Sequence, residues 1–495
     1  MSPPNELRSI TGPLTNGEES GRAISARLDS RAMTRSFFLV TIVWAAIYLP
    51  RLGTLELKSE EGRRVLPAVT MLETGNYLVP QVGSEPYLRK PPLINWLVAG
   101  SFKLFGVRNE WAARLPSALA ILIVALGFLV LTQDPLGENG ALAAAMIWLT
   151  NFGLLEKGRL IEIEALYVSL GALAFIFWMS WWNQPRLRWL GWTLPWIFLG
   201  LALLAKGPLV LLFFYPVLIA VLGQAKEMRR LYQAPHWVGL ILMLAIFAAW
   251  AVPALQAAGA GHTAGVWSRQ FSGRLSGEDF KFADWLLNLP RGIAYLLPWS
   301  ILFLFARFSL LENQSERRFA RGLSLGIAIP FLVVGLVPGA LPRYLMPLLA
   351  PAIWLLALFI RSHALVWPRE LRKSITWTVI AITTGMLIYS IVLIPFLQRR
   401  EKIRPIAEEL ERAIPATKPL FAVDPDYQPF LFYLRRPIQY IDSVGDLPAD
   451  ADWILVQPKD EKSTEDSTRW LPRRAVPVQR IKDYRGHWIV LLKVQ

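Results

Sequence analysis

The chain has 495 residues, of which 54% are hydrophobic and only 18% charged, whereas a soluble domain carries about 25% charged residues. Its net charge of +15 does not point to nucleic acid, because the basic residues sit in short loops between long apolar blocks, as suits anionic lipid headgroups and phosphates. Cysteine is absent, which excludes disulfides, thiolate metal sites and cysteine nucleophiles.

Residues 1–36 are polar and rich in Arg, Ser and Gly, and read as a disordered cytoplasmic tail. The first apolar block begins at Phe37, behind Arg31 and Arg35, as in an uncleaved signal anchor. Further blocks fall at about 113–133, 139–155, 165–182, 189–205, 208–223, 236–256, 291–308, 319–338, 344–360 and 375–397, giving about eleven spans over 37–397. Alternating the spans puts the loops of Arg186 and Arg188, of Lys226, Arg229 and Arg230, of Arg317, Arg318 and Arg321, and of Arg369 and Arg372 on the cytoplasmic side. The long segments 53–112 and 257–290 then lie outside. The block 91–106 is short for a span, and counting it as one would reverse the basic loops. It reads as a helix at the outer interface. Residues 398–495 carry short apolar runs at 419–423, 453–456 and 488–492 between turn residues, as in a small periplasmic α/β domain.

Ionisable residues at the edges of apolar blocks are candidates for function. Glu60 shares a helix face with Arg63 and Arg64, in a functional or merely self-paired cluster. Tyr87 and Lys90 precede Pro91 and Pro92, where Lys90 either binds substrate or snorkels to headgroups. Arg159 and Glu164 flank the gap between two spans, and a boundary carboxylate there needs a cation or a metal. Lys206 interrupts a long apolar run and needs an anion, for which a lipid phosphate is suited. Arg274 and Tyr344 complete the outer set. No P-loop or dinucleotide fingerprint occurs, and the four His are scattered.

These residues resemble the lipid A aminoarabinose transferases and protein O-mannosyltransferases, membrane glycosyltransferases of the C-type fold. The resemblance is strongest over Glu60–Pro116, in Met71–Pro80, Glu85–Pro92, Lys103–Gly106 and Ala113–Ser117. It implies a glycosyltransferase of the bacterial inner membrane that moves a pentosyl or hexosyl unit from a polyprenyl-phosphate donor to a lipid A, glycan or protein acceptor in the cell envelope. It further implies Glu60 and Glu164 as the acidic pair, with Lys90, Lys206 and Arg274 on the donor phosphate and Tyr87 and Tyr344 lining the cavity. The family opens its first loop with Asp-Glu and starts the later span with Asp. Glu60 and Glu164 keep those charges on longer arms. Two such carboxylates brought together need either a divalent ion, Mg or Mn, or compensation by Arg63, Arg159 or Lys90. The competing expectations are a flippase for a lipid-linked glycan and an envelope-assembly protein with a decayed site.

Overall fold

The computed structural model describes residues 16–83, 85–259, 282–362, 368–425, 428–448, 450–457, 475–482, 486 and 488–494. Arg274 lies outside these residues. The first helix, α1 (Asn16–Tyr48), reaches back through much of the expected tail.

The helices that position the site follow in chain order. They are α2 (Gly62–Thr74), α3 (Leu93–Phe105), α4 (Glu110–Leu131), α5 (Gln133–Thr150), α6 (Phe152–Lys157), α7 (Ile163–Trp181), α8 (Arg188–Lys206), α9 (Leu211–Ala225) and α10 (Ala234–Ala258). After them come α11 (Gln314–Gly335), α12 (Leu349–Arg361), α13 (Pro368–Ile388) and α14 (Ile403–Ala413). Among the described residues, eight helical segments are long and apolar enough to cross a membrane. The chain is a polytopic membrane protein. Helix α7 is buried almost end to end, packed on α4, α8 and α12. The apolar character of α7 on all sides fits this central place.

Several apolar blocks are less regular than a simple span. The block 139–155 breaks at Asn151, whose side chain caps α6 by accepting the Leu154 N–H at 3.1 Å. The block 291–308 is a short helix, Asn288–Ala294, followed by a 3₁₀ stretch, Trp299–Phe305, because Pro298 cannot supply an N–H to a continuous ladder. After α13 the backbone passes through a π-turn at Tyr389–Leu393 into Ile394–Gln398. Helix α3 has 13 residues, too few to span, and packs on α2 and α4.

One small hairpin, β1 (Gln81–Val82) with β2 (Glu85–Pro86), leads into Tyr87. The C-terminal sheet comprises β3 (Leu420–Val423), β4 (Ile438–Ile441), β5 (Trp453–Val456), β6 (Ala475–Lys482) and β7 (Trp488–Val494) in the order β4-β3-β5-β7-β6. Strands β4, β3 and β5 are parallel and β7 and β6 antiparallel. The three expected apolar runs form β3, β5 and β7, which are the buried centre. The flanking β4 and β6 are more exposed and carry a weaker apolar signal.

Candidate active site

The chain assembles a charged cluster at one end of the bundle, where α1, α7, α8 and the segment before α12 meet the loop 52–61. Lys206 is the last residue of α8, where a cation is favoured by the helix dipole. Gly207 follows with φ 106° and ψ −167°, a region that only glycine adopts without strain. Pro208 then starts the next helical turn. The Lys-Gly-Pro sequence is thus a turn that sets Lys206 at the edge of the apolar layer.

Glu164 answers Lys206. It lies in the first turn of α7, and Lys206 Nζ donates to its Oε1 at 3.2 Å. Arg343 Nε stands 3.2 Å from the same oxygen but is not aligned to hydrogen-bond to it, so the guanidinium retains directional donors. The Lys206 ammonium sits 4.8 Å from the Tyr344 ring centroid and 5.2 Å from that of Tyr167. The Tyr167 hydroxyl is buried without a hydrogen-bond partner among the described residues.

The second part of the cluster comes from the first loop. A 3₁₀ turn, Ser59–Glu61, runs directly into α2. Arg63 Nη1 donates to both Glu60 carboxylate oxygens at 3.0 and 3.1 Å, and Arg64 Nη2 lies 3.7 Å away. Arg64 also donates from Nη1 to the Tyr87 hydroxyl at 2.9 Å. It lies within electrostatic range of Lys206. Glu60 keeps 39% of its side chain exposed, so an acceptor can reach it. Lys90 is half-buried in the turn between Tyr87 and α3.

Arg159 lies against the end of α1 and also lines a neighbouring cavity. Its guanidinium donates to the carbonyls of Ile47 and, at 2.7 Å, of Pro50, holding the end of α1. The sequence reading missed Glu61, Arg114 and Arg343. Glu61 is buried and receives two Arg114 bonds of 2.9 Å together with the Ile161 N–H at 3.0 Å. Of the neighbouring acids Glu60 and Glu61, one faces the site and the other fastens the loop. Arg343, beside Tyr344, was available as a second cation for Glu164.

Each of Glu60 and Glu164 faces two cations, which a divalent ion bridging the two carboxylates would have to displace. Among the described residues, no three His, Asp or Glu side chains converge as ligands. A cavity of about 450 Å³ adjoins the loop, walled by Arg51, Lys58, Phe152, Arg159, Met386 and Tyr389.

The fold is similar to that of the solved structures of ArnT. The structure of ArnT from Cupriavidus metallidurans bound to undecaprenyl phosphate superimposes with a TM-score of 0.69 at 16% identity, covering 93% of this chain and 97% of that one. Its apo state gives 0.68. Residues 89–252 match the family model of dolichyl-phosphate-mannose-protein mannosyltransferases. The undecaprenyl phosphate-α-4-amino-4-deoxy-L-arabinose arabinosyl transferase of Pseudomonas aeruginosa is 28% identical over 387 residues, 74% of this chain and 64% of the relative. An uncharacterized protein of Aquifex aeolicus is 26% identical over 397 residues, 75% and 76% of the two chains. In fold the chain is similar to ArnT, and in sequence to the aminoarabinose transferases and, over residues 89–252, to the protein mannosyltransferases. The chain spans about 64% of the length of the aminoarabinose transferase.

Proposed function

We propose that the protein transfers a glycosyl unit from a polyprenyl-phosphate donor to a hydroxyl or phosphate oxygen of an envelope glycolipid, glycan or protein. The observation that carries this reading is the charge of the cluster. Lys206, Arg343, Arg63 and Arg64 surround only two carboxylates, leaving two positive charges over. A departing polyprenyl phosphate develops a charge of about −1.5 to −2 by analogy with other phosphomonoesters. Cations held in place before the reaction stabilise that charge as it forms. The buried Tyr167 hydroxyl is a further donor for a ligand oxygen.

In the step proposed, the acceptor oxygen attacks the anomeric carbon and the bond from that carbon to the phosphate oxygen breaks. The bonding pair leaves on the polyprenyl phosphate, and Glu60 takes the acceptor proton where there is one. Glu164 holds Lys206 and Arg343 at the phosphate. Lys90 and Arg274 are assigned to the same phosphate by family resemblance. Two cations on each acid support a reaction without a metal. The basic loops support an inner-membrane orientation with the N-terminus cytoplasmic and the sheet periplasmic.

The test is release of free undecaprenyl phosphate by purified protein given an undecaprenyl-phosphate-linked aminopentose or mannose and an extracted envelope glycolipid. Release that depends on the acceptor with either donor supports the reading and identifies the sugar class. No release from either donor, with the protein folded, counts against it.

A further inference from the structure

We infer that Glu56 and Tyr433 are positioning residues for Glu60, through which the C-terminal domain holds the loop in register. This rests on the catalytic reading of Glu60. Helix α14 begins at Ile403 without a local side-chain cap, so its first N–H groups need acceptors from elsewhere. Glu56, near the other end of the chain and buried, supplies them. Its Oε1 accepts the Lys402 N–H at 3.0 Å, and its Oε2 accepts those of Ile403 at 2.8 Å and Arg404 at 3.2 Å. Glu401 returns the contact by accepting the Glu56 N–H at 3.0 Å. The arrangement is a capping box formed between distant segments.

The next residue is held as well. The Leu57 N–H donates to the Tyr433 hydroxyl at 2.7 Å, which donates onward to Glu110 Oε1 at 2.9 Å. Burial and the Glu110 carboxylate raise the pKa of the Tyr433 phenol, so it stays a donor. Arg404 pairs with the same carboxylate. On the other side, Arg114 holds the carbonyls of Leu52, Leu55 and Glu56 as well as the Glu61 side chain. The loop is therefore gripped from both sides between residues 52 and 61. Helix α14 buries Ile403, Ile406, Ala407 and Leu410 and packs on Pro429–Phe432, which makes it one unit with the sheet domain. A displacement of about 1 Å at a reacting group can cost on the order of 100-fold in rate.

The test uses the full chain in nanodiscs with the undecaprenyl-phosphate sugar that the parent protein consumes. Glu56→Gln and Tyr433→Phe should lower kcat by on the order of 10- to 100-fold while the KM for the donor stays the same. In a Glu60→Gln background neither should lower the residual rate further. Because the chain lacks cysteine, spin labels at Lys58→Cys and Gln439→Cys read the loop without substrate. Their distance distribution should broaden in Glu56→Gln and Tyr433→Phe. Unchanged kcat in both variants overturns the inference, as does a further equal loss in the Glu60→Gln background, which would mark general destabilisation. Tyr433→Phe removes one hydroxyl only and carries the test if Glu56→Gln does not fold. A fully active Glu60→Gln protein would instead defeat the underlying catalytic reading.

Discussion

Glu61 and Arg114 form a two-pronged ion pair in which each side chain is only 3% exposed. The pair links the loop that carries Glu60 to the first turn and a half of α4. Removing one partner leaves a bare charge in a dry place, which costs about 3–5 kcal/mol. Arg114→Met should therefore lower the thermal stability of the purified protein sharply. The check is a melt in detergent. A melting temperature equal to the parent's would mean that the loop does not depend on this pair.

Lys206→Met should weaken binding of undecaprenyl phosphate about 10- to 100-fold, since hydrogen bonds to charged groups contribute about 1.5–3 kcal/mol. Arg343 still faces Glu164 in that variant, so the carboxylate keeps a counter-charge. Lys206→Arg should not restore binding, because a planar guanidinium does not fit the place of a compact ammonium between two rings. Calorimetric titration with the lipid in nanodiscs measures this, and parental affinity in Lys206→Met would reduce the lysine to an anchor.

The orientation has its own check. Arg188 pairs with Gln233, and Arg230 reaches Trp182 and Asn183, so basic residues cluster at the bundle end away from Glu60. A reporter active only in the periplasm should be active when fused after Gln495 and silent after Arg230. The reverse pair of results would invert the membrane and place the site on the cytoplasmic side.

Turnover should be insensitive to EDTA, because two cations already compensate each of Glu60 and Glu164. An assay of undecaprenyl phosphate release with and without the chelator decides this. Loss with EDTA and recovery with magnesium or manganese would contradict the metal-free site.

Hydropathy made the membrane fold legible, and the Lys-Gly-Pro turn and the i, i+3 and i, i+4 spacing of Glu60, Arg63 and Arg64 marked parts of the site. These are local signals, readable from neighbours in the chain. The carbonyl contacts of Arg159 had no signal in the sequence, because a cation between two spans looks the same whether it meets a phosphate or backbone carbonyls. The division of labour between Glu60 and Glu61 depends on Arg114, a partner in another helix. Glu56 carried no local signal, since the N–H groups it caps belong to a helix near the far end of the chain.

If Glu60 takes the acceptor proton, a single substitution at that residue removes most of the activity. Glu60→Gln keeps the size of the side chain and removes its charge, in a residue exposed enough not to decide folding. With a donor and acceptor that the parent protein uses, release of undecaprenyl phosphate should fall on the order of 10²- to 10⁴-fold, the usual contribution of a positioned base. Expression and thermal stability should remain near those of the parent. Parental turnover in Glu60→Gln would contradict the account.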